Sequence, residues 1–576
     1  MKTIRNIILV MIFGILISIC LYIVPNYKKD GTEGKTNLVI NYSNVTAKMK
    51  GEVIITDDGK IYISKEDIEN YYDKYIYYDK KYDYIIATGN GKIAKFDLTK
   101  NTATINDKNI NSSVIKKDDK YYIPISDIED VYNIDVKYIK EYNIVLIESL
   151  DKKLESAKVK QKAYVKSESS NFSKKLEQLN ENDKVYIVPK KQSDSSQNTQ
   201  GNKKILQVII NKVKSLKSDN SGKWTLVRTS NGNLGYIKTD NLTETTVERE
   251  EIKEESKTIS LVWDYYSEVG KAPQNTASTK YDGVNVVSPS FFYLEDGQLK
   301  ENIGDEGVNY INWAKSNNYE VWPIVANNNN SEDKINIFSV LINDYKKREE
   351  LINQIVEYVK EYKLDGINID FENINKSDKD SLSRFVIELK PRLEALGAKL
   401  SVDVTEPDGS DRWSLCFDRN VIGDVADYIV FMAYDQYGNG SKKAGSTAAY
   451  YWVERNIKKF LDQEEVEANK IILGIPFYTR LWKDDGTKLT STVIAIKNIS
   501  KYIPSDVEVQ WLEDSQQQYI EYEKNNVTYK MWIENEKSIS QKLALIKKYK
   551  LAGAAYWQKG YENEGIWQII KKQLME

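Results

Sequence analysis

Apolar and polar residues alternate differently in successive stretches of the chain. Residues 7–24 carry no charge at all, a run long enough to cross a bilayer as a helix. Lys2 and Arg5 precede it, and basic residues before an apolar span favour a cytoplasmic N-terminus. The residues that follow, Cys20-Leu-Tyr-Ile-Val-Pro-Asn, offer no small-x-small cleavage site. Residues 1–29 therefore read as an uncleaved membrane signal anchor, with everything from about residue 30 outside the cytoplasm. Bulky Ile19 before Cys20 argues against a lipoprotein. Export with cleavage at an atypical site is the other reading.

Residues 35–150 show two-residue alternation, as in Gly51-Glu-Val-Ile-Ile-Thr, and predict an α+β domain. Within them Lys60-Ile-Tyr-Ile-Ser64-Lys-Glu-Asp67-Ile-Glu69 is echoed by Lys120-Tyr-Tyr-Ile-Pro124-Ile-Ser-Asp127-Ile-Glu129, each copy a strand followed by a short helix. This repeat resembles the stalk module called the copper amine oxidase N-terminal-like domain. No copper is implied, since the chain has no histidine, and the expected role is spacer or wall contact. Residues 155–243 predict short strands and turns, with Asn231-Gly232 as a hairpin signal before Leu234-Gly-Tyr-Ile237. That stretch resembles a bacterial Src-homology-3-like domain, a small all-β barrel. Ser193 to Lys204 is a polar insertion, and residues 244–257, dense in Glu, Lys and Arg, read as a charged linker.

From residue 258 onward short apolar runs alternate with helical periodicity. Strands are predicted at 259–263, 283–288, 319–325, 364–372, 399–404, 427–434, 470–477 and 552–557, and helices at 346–362 and 380–396. Strands separated by helices in this way predict an α/β fold, a (β/α)8 TIM barrel over 258–576, with a doubly wound sheet as the alternative. The long gap after 477 predicts an α+β insertion following the seventh strand.

Composition removes whole classes of chemistry. There is no histidine in 576 residues, so no Ser-His-Asp or Cys-His machinery and no His-ligated metal. The two cysteines, Cys20 and Cys416, cannot build a multi-cysteine site and read as buried hydrophobes. Lys and Arg number 82 against 85 Asp and Glu, a net charge of −3, which gives no case for nucleic-acid binding. No cofactor or metal is expected. Acid–base work must fall to carboxylates, tyrosines, lysines or the substrate.

The stretch Leu364-Asp365-Gly366-Ile367-Asn368-Ile369-Asp370-Phe371-Glu372 carries the chemistry. Strand alternation puts Asn368, Asp370 and Glu372 on one face and the apolar residues on the other. Polar groups facing a barrel interior are costly unless they hydrogen-bond or work, and Glu372 falls where barrel enzymes keep their sites. Carboxylates about 7 Å apart at an effective dielectric near 20 repel by about 2.4 kcal/mol, nearly two pKa units. One is thereby kept protonated, as a general acid needs, and Glu372, nearest the mouth, is expected to hold the proton.

These residues resemble the Asp-Gly-x-Asp-x-Asp-x-Glu signature of glycoside hydrolase family 18, with Asn368 where the family usually has Asp. Phe431-Met432-Ala-Tyr434-Asp435 resembles the family's sixth-strand Met-x-Tyr-Asp, and Tyr556-Trp557 the tryptophan beneath the cleaved sugar. The family's Ser-x-Gly-Gly is replaced by Pro323-Ile-Val-Ala-Asn-Asn. The resemblance implies a retaining, substrate-assisted glycosidase in which Glu372 is the acid, Asp370 holds the 2-acetamido group and Tyr434 donates to it. Asp435, Trp557, Asn368, Asp365 and Met432 are implied as substrate-binding residues, and Tyr478, after the seventh strand, could line the cleft as a further substrate-binding residue. Arg480 and the inward-facing Asp403 and Ser401 stand open between packing and site duty, whereas Trp263 and Trp413 are expected to pack. The polysaccharide is peptidoglycan or a chitin-like polymer, and domain company favours peptidoglycan, acted on at the outer face of the cell membrane. The alternatives are a secreted or spore-associated enzyme, a catalytically inactive carbohydrate-binding wall protein, or a passive anchor.

Overall fold

The computed structural model describes residues 34–189, 223–251, 257–265 and 280–576. The predicted anchor 1–29, with Cys20, and the polar insertion 193–204 lie outside the described residues. No helix among the described residues is long and apolar enough to cross a membrane.

The repeat in the N-terminal domain becomes a physical pair. Strand Ile61–Ser64 runs antiparallel to Lys120–Pro124, with Ile63 opposite Ile123. The copies then diverge. The Ser64 hydroxyl accepts the Asp67 amide N–H and caps helix Lys65–Tyr71. Pro124 holds that place in the second copy and has no hydroxyl to offer. The helix there shrinks to a 3₁₀ turn, Ile125–Asp127, and a short helix, Glu129–Tyr132. A five-stranded meander from Tyr77–Asp79 to Lys108–Asn111 completes the domain. This meander is seated on the barrel: Ile86 and Ile93 bury with Tyr345, ringed by Tyr77, Tyr82 and Tyr84.

Among the described residues the next domain is a seven-stranded antiparallel sheet. One of its strands, Thr246–Arg249, comes from the stretch read as linker and pairs with Leu154–Lys158. The charges that suggested a linker have partners here. Glu248 accepts from Ser156 and from Lys184, and Arg249 donates to Glu148 of the preceding domain.

The C-terminal domain is an eight-stranded parallel barrel. Its strands are β1 (Ile259–Asp264), β2 (Val286–Pro289), β3 (Glu320–Val321 and Ile324–Ala326), β4 (Gly366–Asp370), β5 (Lys399–Val404), β6 (Tyr428–Met432), β7 (Ile471–Pro476) and β8 (Gly553–Trp557). The first half of β3 pairs with β2 and the second half with β4, so the split strand closes the ring. Outside lie α1 (Gly304–Ser316), α2 (Glu332–Asn343), α3 (Tyr345–Tyr362), α4 (Lys379–Glu394), α5 (Arg419–Val425), α6 (Tyr450–Asp462), α7 (Glu536–Tyr549) and α8 (Ile566–Ile570). Ile367, Ile369 and Phe371 pack outward into the large core beneath these helices, and Trp263, Trp322, Ile324 and Val430 fill the lumen. Gly366 is required by close approach: a Cβ there would lie 2.6 Å from the Trp322 ring.

After β7 the chain forms a five-stranded antiparallel sheet, from Tyr478–Asp484 to Val527–Ile533, before α7 resumes the barrel. A buried polar chain ties it down. Lys542 on α7 pairs with Glu534 at 2.9 Å, Gln517 donates to Glu534, and Ser446 donates to Gln517. Trp482 of the insertion donates to the Gly445 carbonyl at 2.8 Å. The loop following Asp435 is thereby held from beneath by the inserted sheet.

Candidate active site

Strand β4 delivers the predicted face. Asn368 is fully buried, while Asp370 and Glu372 keep some exposure where the strand emerges. The buried amide is saturated. Trp263 Nε1 donates to Asn368 Oδ1 at 2.8 Å, and Asn368 Nδ2 donates to Asp403 Oδ1 at 2.6 Å and to Ser401 Oγ at 3.0 Å. Both residues of the 401–405 stretch left open by the sequence thus face inward, and Trp263, expected only to pack, also orients the floor.

Above this floor the carboxyls lack such partners. Asp370 Oδ1 is sealed from solvent and has no hydrogen-bond partner among the described residues. Burial pushes the Asp370 carboxyl up to about 6. Burial first, then the negative charges of Asp370 and Asp435, push Glu372 up to about 8. At neutral pH Glu372 therefore holds a proton, as its place near the mouth predicts. The Glu372 backbone is clamped at both groups by one side chain: Asn327 Nδ2 donates to its carbonyl at 2.8 Å, and its N–H donates to Asn327 Oδ1 at 3.0 Å. Asn329 and Asn373 exchange side-chain-to-carbonyl bonds one step further out. The clamp comes from the Ala-Asn-Asn segment that departs from the expected Ser-x-Gly-Gly. The asparagines were visible there, but nothing local said what they would hold.

Strands β6 and β8 supply an aromatic wall. Trp557 lies 5.7 Å from Trp263, 6.5 Å from Tyr434 and 5.3 Å from exposed Tyr265, between ring centroids. Tyr265 escaped the sequence reading because it follows β1 as an ordinary strand-end tyrosine. Tyr434, also 6.3 Å from Tyr478, has its hydroxyl held firmly protonated, by burial first and then by the acidic groups around it, Asp403, Tyr478, Asp370 and Glu372, which disfavour a phenolate. It is a donor without a competing ionised form. Met432 shares the inward face with Tyr434 by alternation along β6 and is buried. Asp435 adopts a left-handed backbone, φ 55°, and accepts from Arg480 Nη2 at 3.0 Å. Arg480 thereby joins the site, while Tyr478 is kept protonated by burial and by Asp435 beside it.

Two expectations fail. Asp365 lies at the opposite end of β4, where its carboxylate accepts the Val321 amide at 3.0 Å and faces Lys315 at 3.7 Å. A residue before the strand's first position sits at the barrel's bottom, so Asp365 locks β3 to β4 and does not reach a ligand at the mouth. Trp413, expected to pack, is 46% exposed on the loop after β5. Cys416 is buried as expected.

Comparison with known proteins bears on the family of the chain. The sequence profile of glycosyl hydrolases family 18 matches residues 261–562, more than half of the chain, and that of the copper amine oxidase N-terminal domain matches residues 39–147. The uncharacterized glycosylase YvbX of Bacillus subtilis is 29% identical over 318 residues, covering 53% of this chain and 90% of that one. The cortical fragment-lytic enzyme of Bacillus subtilis is 25% identical over 268 residues, covering 45% of this chain and 61% of its own length. Among solved structures, the spore cortex-lytic enzyme SleL of Bacillus megaterium is 22% identical with a TM-score of 0.46, covering 60% of this chain and 77% of that one. With its carboxyl strand, tyrosine and tryptophan at the strand ends of a closed barrel, the chain belongs to glycosyl hydrolases family 18 and is a glycosidase.

Proposed function

We propose that this glycosidase cleaves β-1,4 linkages at N-acetylglucosamine in peptidoglycan, with retention, using the substrate's own 2-acetamido oxygen as nucleophile. The observation that carries this is the Asp370 carboxyl, with a buried oxygen that no donor among the described residues satisfies, beside a Glu372 that keeps its proton. A buried acceptor without a donor is expensive, and a substrate amide N–H supplies the missing bond. In the first step the acetamido oxygen attacks C1, the glycosidic bond breaks, and Glu372 gives its proton to the leaving oxygen. Asp370 accepts the amide N–H and stabilises the positive oxazolinium ring, and Tyr434 donates its hydroxyl to the acetamido group. Trp557 stacks on the apolar face of the sugar, and Asp435, set by Arg480, accepts a sugar hydroxyl. Water then opens the ring with Glu372 as base. Two carboxyls on one strand do not flank the sugar as a nucleophile–acid pair must, which favours substrate assistance.

The choice of peptidoglycan rests on the company of an anchor and a stalk domain, and on relatives whose names include a cortical fragment-lytic enzyme. The uncharged run 7–24 behind Lys2 and Arg5 supports a further part of the proposal, that the enzyme works at the outer face of the cell membrane. The test is digestion of purified peptidoglycan, chitin oligomers and a glucose-based β-1,4 oligomer by the detergent-solubilised full chain, with products read by mass spectrometry and the fresh anomer by NMR. Peptidoglycan fragments ending in reducing N-acetylglucosamine, released in the β form, are expected, with no action on the glucose polymer. Cleavage of the glucose polymer, or inverted products, overturns the mechanism; turnover of chitin oligomers alone overturns the substrate.

A further inference from the structure

Asp403 is a carboxyl in an improbable place. It lies on the inner face of β5, 2% exposed, level with Val430 in the barrel lumen. Its oxygen accepts the Asn368 amide at 2.6 Å, the Trp263 indole N–H is its other neutral donor, and no lysine or arginine among the described residues pairs with it. The charged or titratable groups that face it are Asp370 and Glu372 from the end of β4 and Tyr434 from the end of β6. None brings a positive charge. An isolated carboxylate buried this way costs far more than any hydrogen bond to a neutral amide returns. The group avoids that cost by keeping its proton, and burial and the charge of Asp370 push its titration the same way.

The consequence reaches the reacting pair through Asn368. Asn368 Oδ1 already accepts from Trp263, so its Nδ2 must face an acceptor on β5. Asp403 supplies that acceptor and, as a neutral acid, adds no negative charge of its own beneath Asp370 and Glu372. We propose that Asp403 is a positioning residue of this glycosidase, carried as a neutral carboxylic acid that fixes Asn368 and hence the strand on which Asp370 and Glu372 stand. This rests on the assignment of Glu372 and Asp370 above.

An amide mimics a neutral acid in shape and offers the same acceptor, whereas it cannot mimic a carboxylate's charge. Asp403→Asn is therefore expected to keep kcat and the pH–rate profile within about threefold of the parent, since no transition-state contact is lost. Asp403→Leu, close in volume but without the acceptor, is expected to lower kcat up to about a hundredfold with KM little changed, as small misplacements of reacting groups do. Infrared difference spectra between the parent and Asp403→Asn should show the carbonyl stretch of a protonated acid at neutral pH. That spectrum needs no substrate, so it tests Asp403 even if the assigned reaction fails. A folded Asp403→Asn variant with kcat reduced as far as in Asp403→Leu would overturn the proposal, as would an ionised carboxylate band at pH 7. If Asp403→Leu does not fold, the Asn variant and the spectrum still decide it.

Discussion

Two clusters of buried acid lie on opposite sides of strand β4 and its neighbours, and they are finished differently. On the outer face, Glu388 of α4 is 1% exposed and Arg348 of α3 is 3% exposed. Arg348 grips Glu388 with two bonds of 2.8 Å and donates to the Ile342 carbonyl at 2.9 Å. Tyr77, arriving from the N-terminal domain, donates to Glu388 at 2.9 Å and accepts from Arg348 at 2.9 Å. Charge and hydrogen bonds are both closed. In the lumen, Asp370, Glu372 and Asp403 influence one another with no lysine or arginine paired to them among the described residues, and an Asp370 oxygen has no partner there. The first cluster is complete without a ligand and serves docking. The second is stable only through retained protons, and it stays open to a substrate that brings an amide.

The comparison can be broken in order of size. Glu372→Gln should lower kcat by about 10²–10⁴, the usual contribution of a positioned acid, while the protein still pulls down polymer; unchanged lysis would end the assignment of the acid. Arg348→Met should leave Glu388 buried without its cation and destabilise the folded state by about 3–5 kcal/mol in chemical denaturation. Specific activity of the remaining folded protein should not change, and equal stability would show that the outer pair is not needed. Tyr434→Phe should cost about 10²–10³ in kcat, the cost of losing one donor aimed at the reacting group.

Next in size is a pH effect on stability. Below about pH 4.5 the Glu372 carboxyl is protonated whether the chain is folded or not; between there and about pH 8 only the folded state keeps the proton. The unfolded state then binds fewer protons, so stability falls as pH rises through that window and levels off above it. Glu372→Gln should flatten this slope and gain on the order of 2 kcal/mol at pH 8, after allowing for residual solvent contact. Denaturation curves of the two proteins at pH 4.5 and pH 8 check it, and an identical slope in both would refute the raised pKa. Smallest is Tyr77→Phe, which removes one hydroxyl from the closed outer cluster and should cost about 1 kcal/mol. A change in the pH–rate profile of that variant would mean the two clusters are coupled.

Much of the barrel was legible because a strand's periodicity is local. Ile367, Ile369 and Phe371 had to face one way and Asn368, Asp370 and Glu372 the other, whatever their neighbours; the repulsion between adjacent acids also pointed to Glu372 as the proton holder, but its larger cause, burial, came from packing. The misreadings have one cause. Asp365 belongs to the same motif as Glu372, but a strand has two ends and only one is a mouth. Residues 246–249 were charged enough to look like linker because their partners, Ser156, Lys184 and Glu148, lie about a hundred or fewer residues upstream on other strands. The second repeat kept the strand and short helix read for it, but Pro124 in place of Ser64 broke that helix into a 3₁₀ turn and a four-residue helix.

By itself the sequence determined that this chain must do its chemistry without imidazole, on an alternating strand whose polar face carries an amide and two carboxyls. Backbone stereochemistry and composition suffice for that. Only the tertiary structure decided what each buried group meets: Asn327 across 45 residues to Glu372, Asn368 across 35 to Asp403, Arg348 across 271 to Tyr77. Whether a buried acid is closed by a cation or left holding a proton depends on which distant side chains converge on it. That convergence is a property of packing, and it separates the docking cluster from the working one.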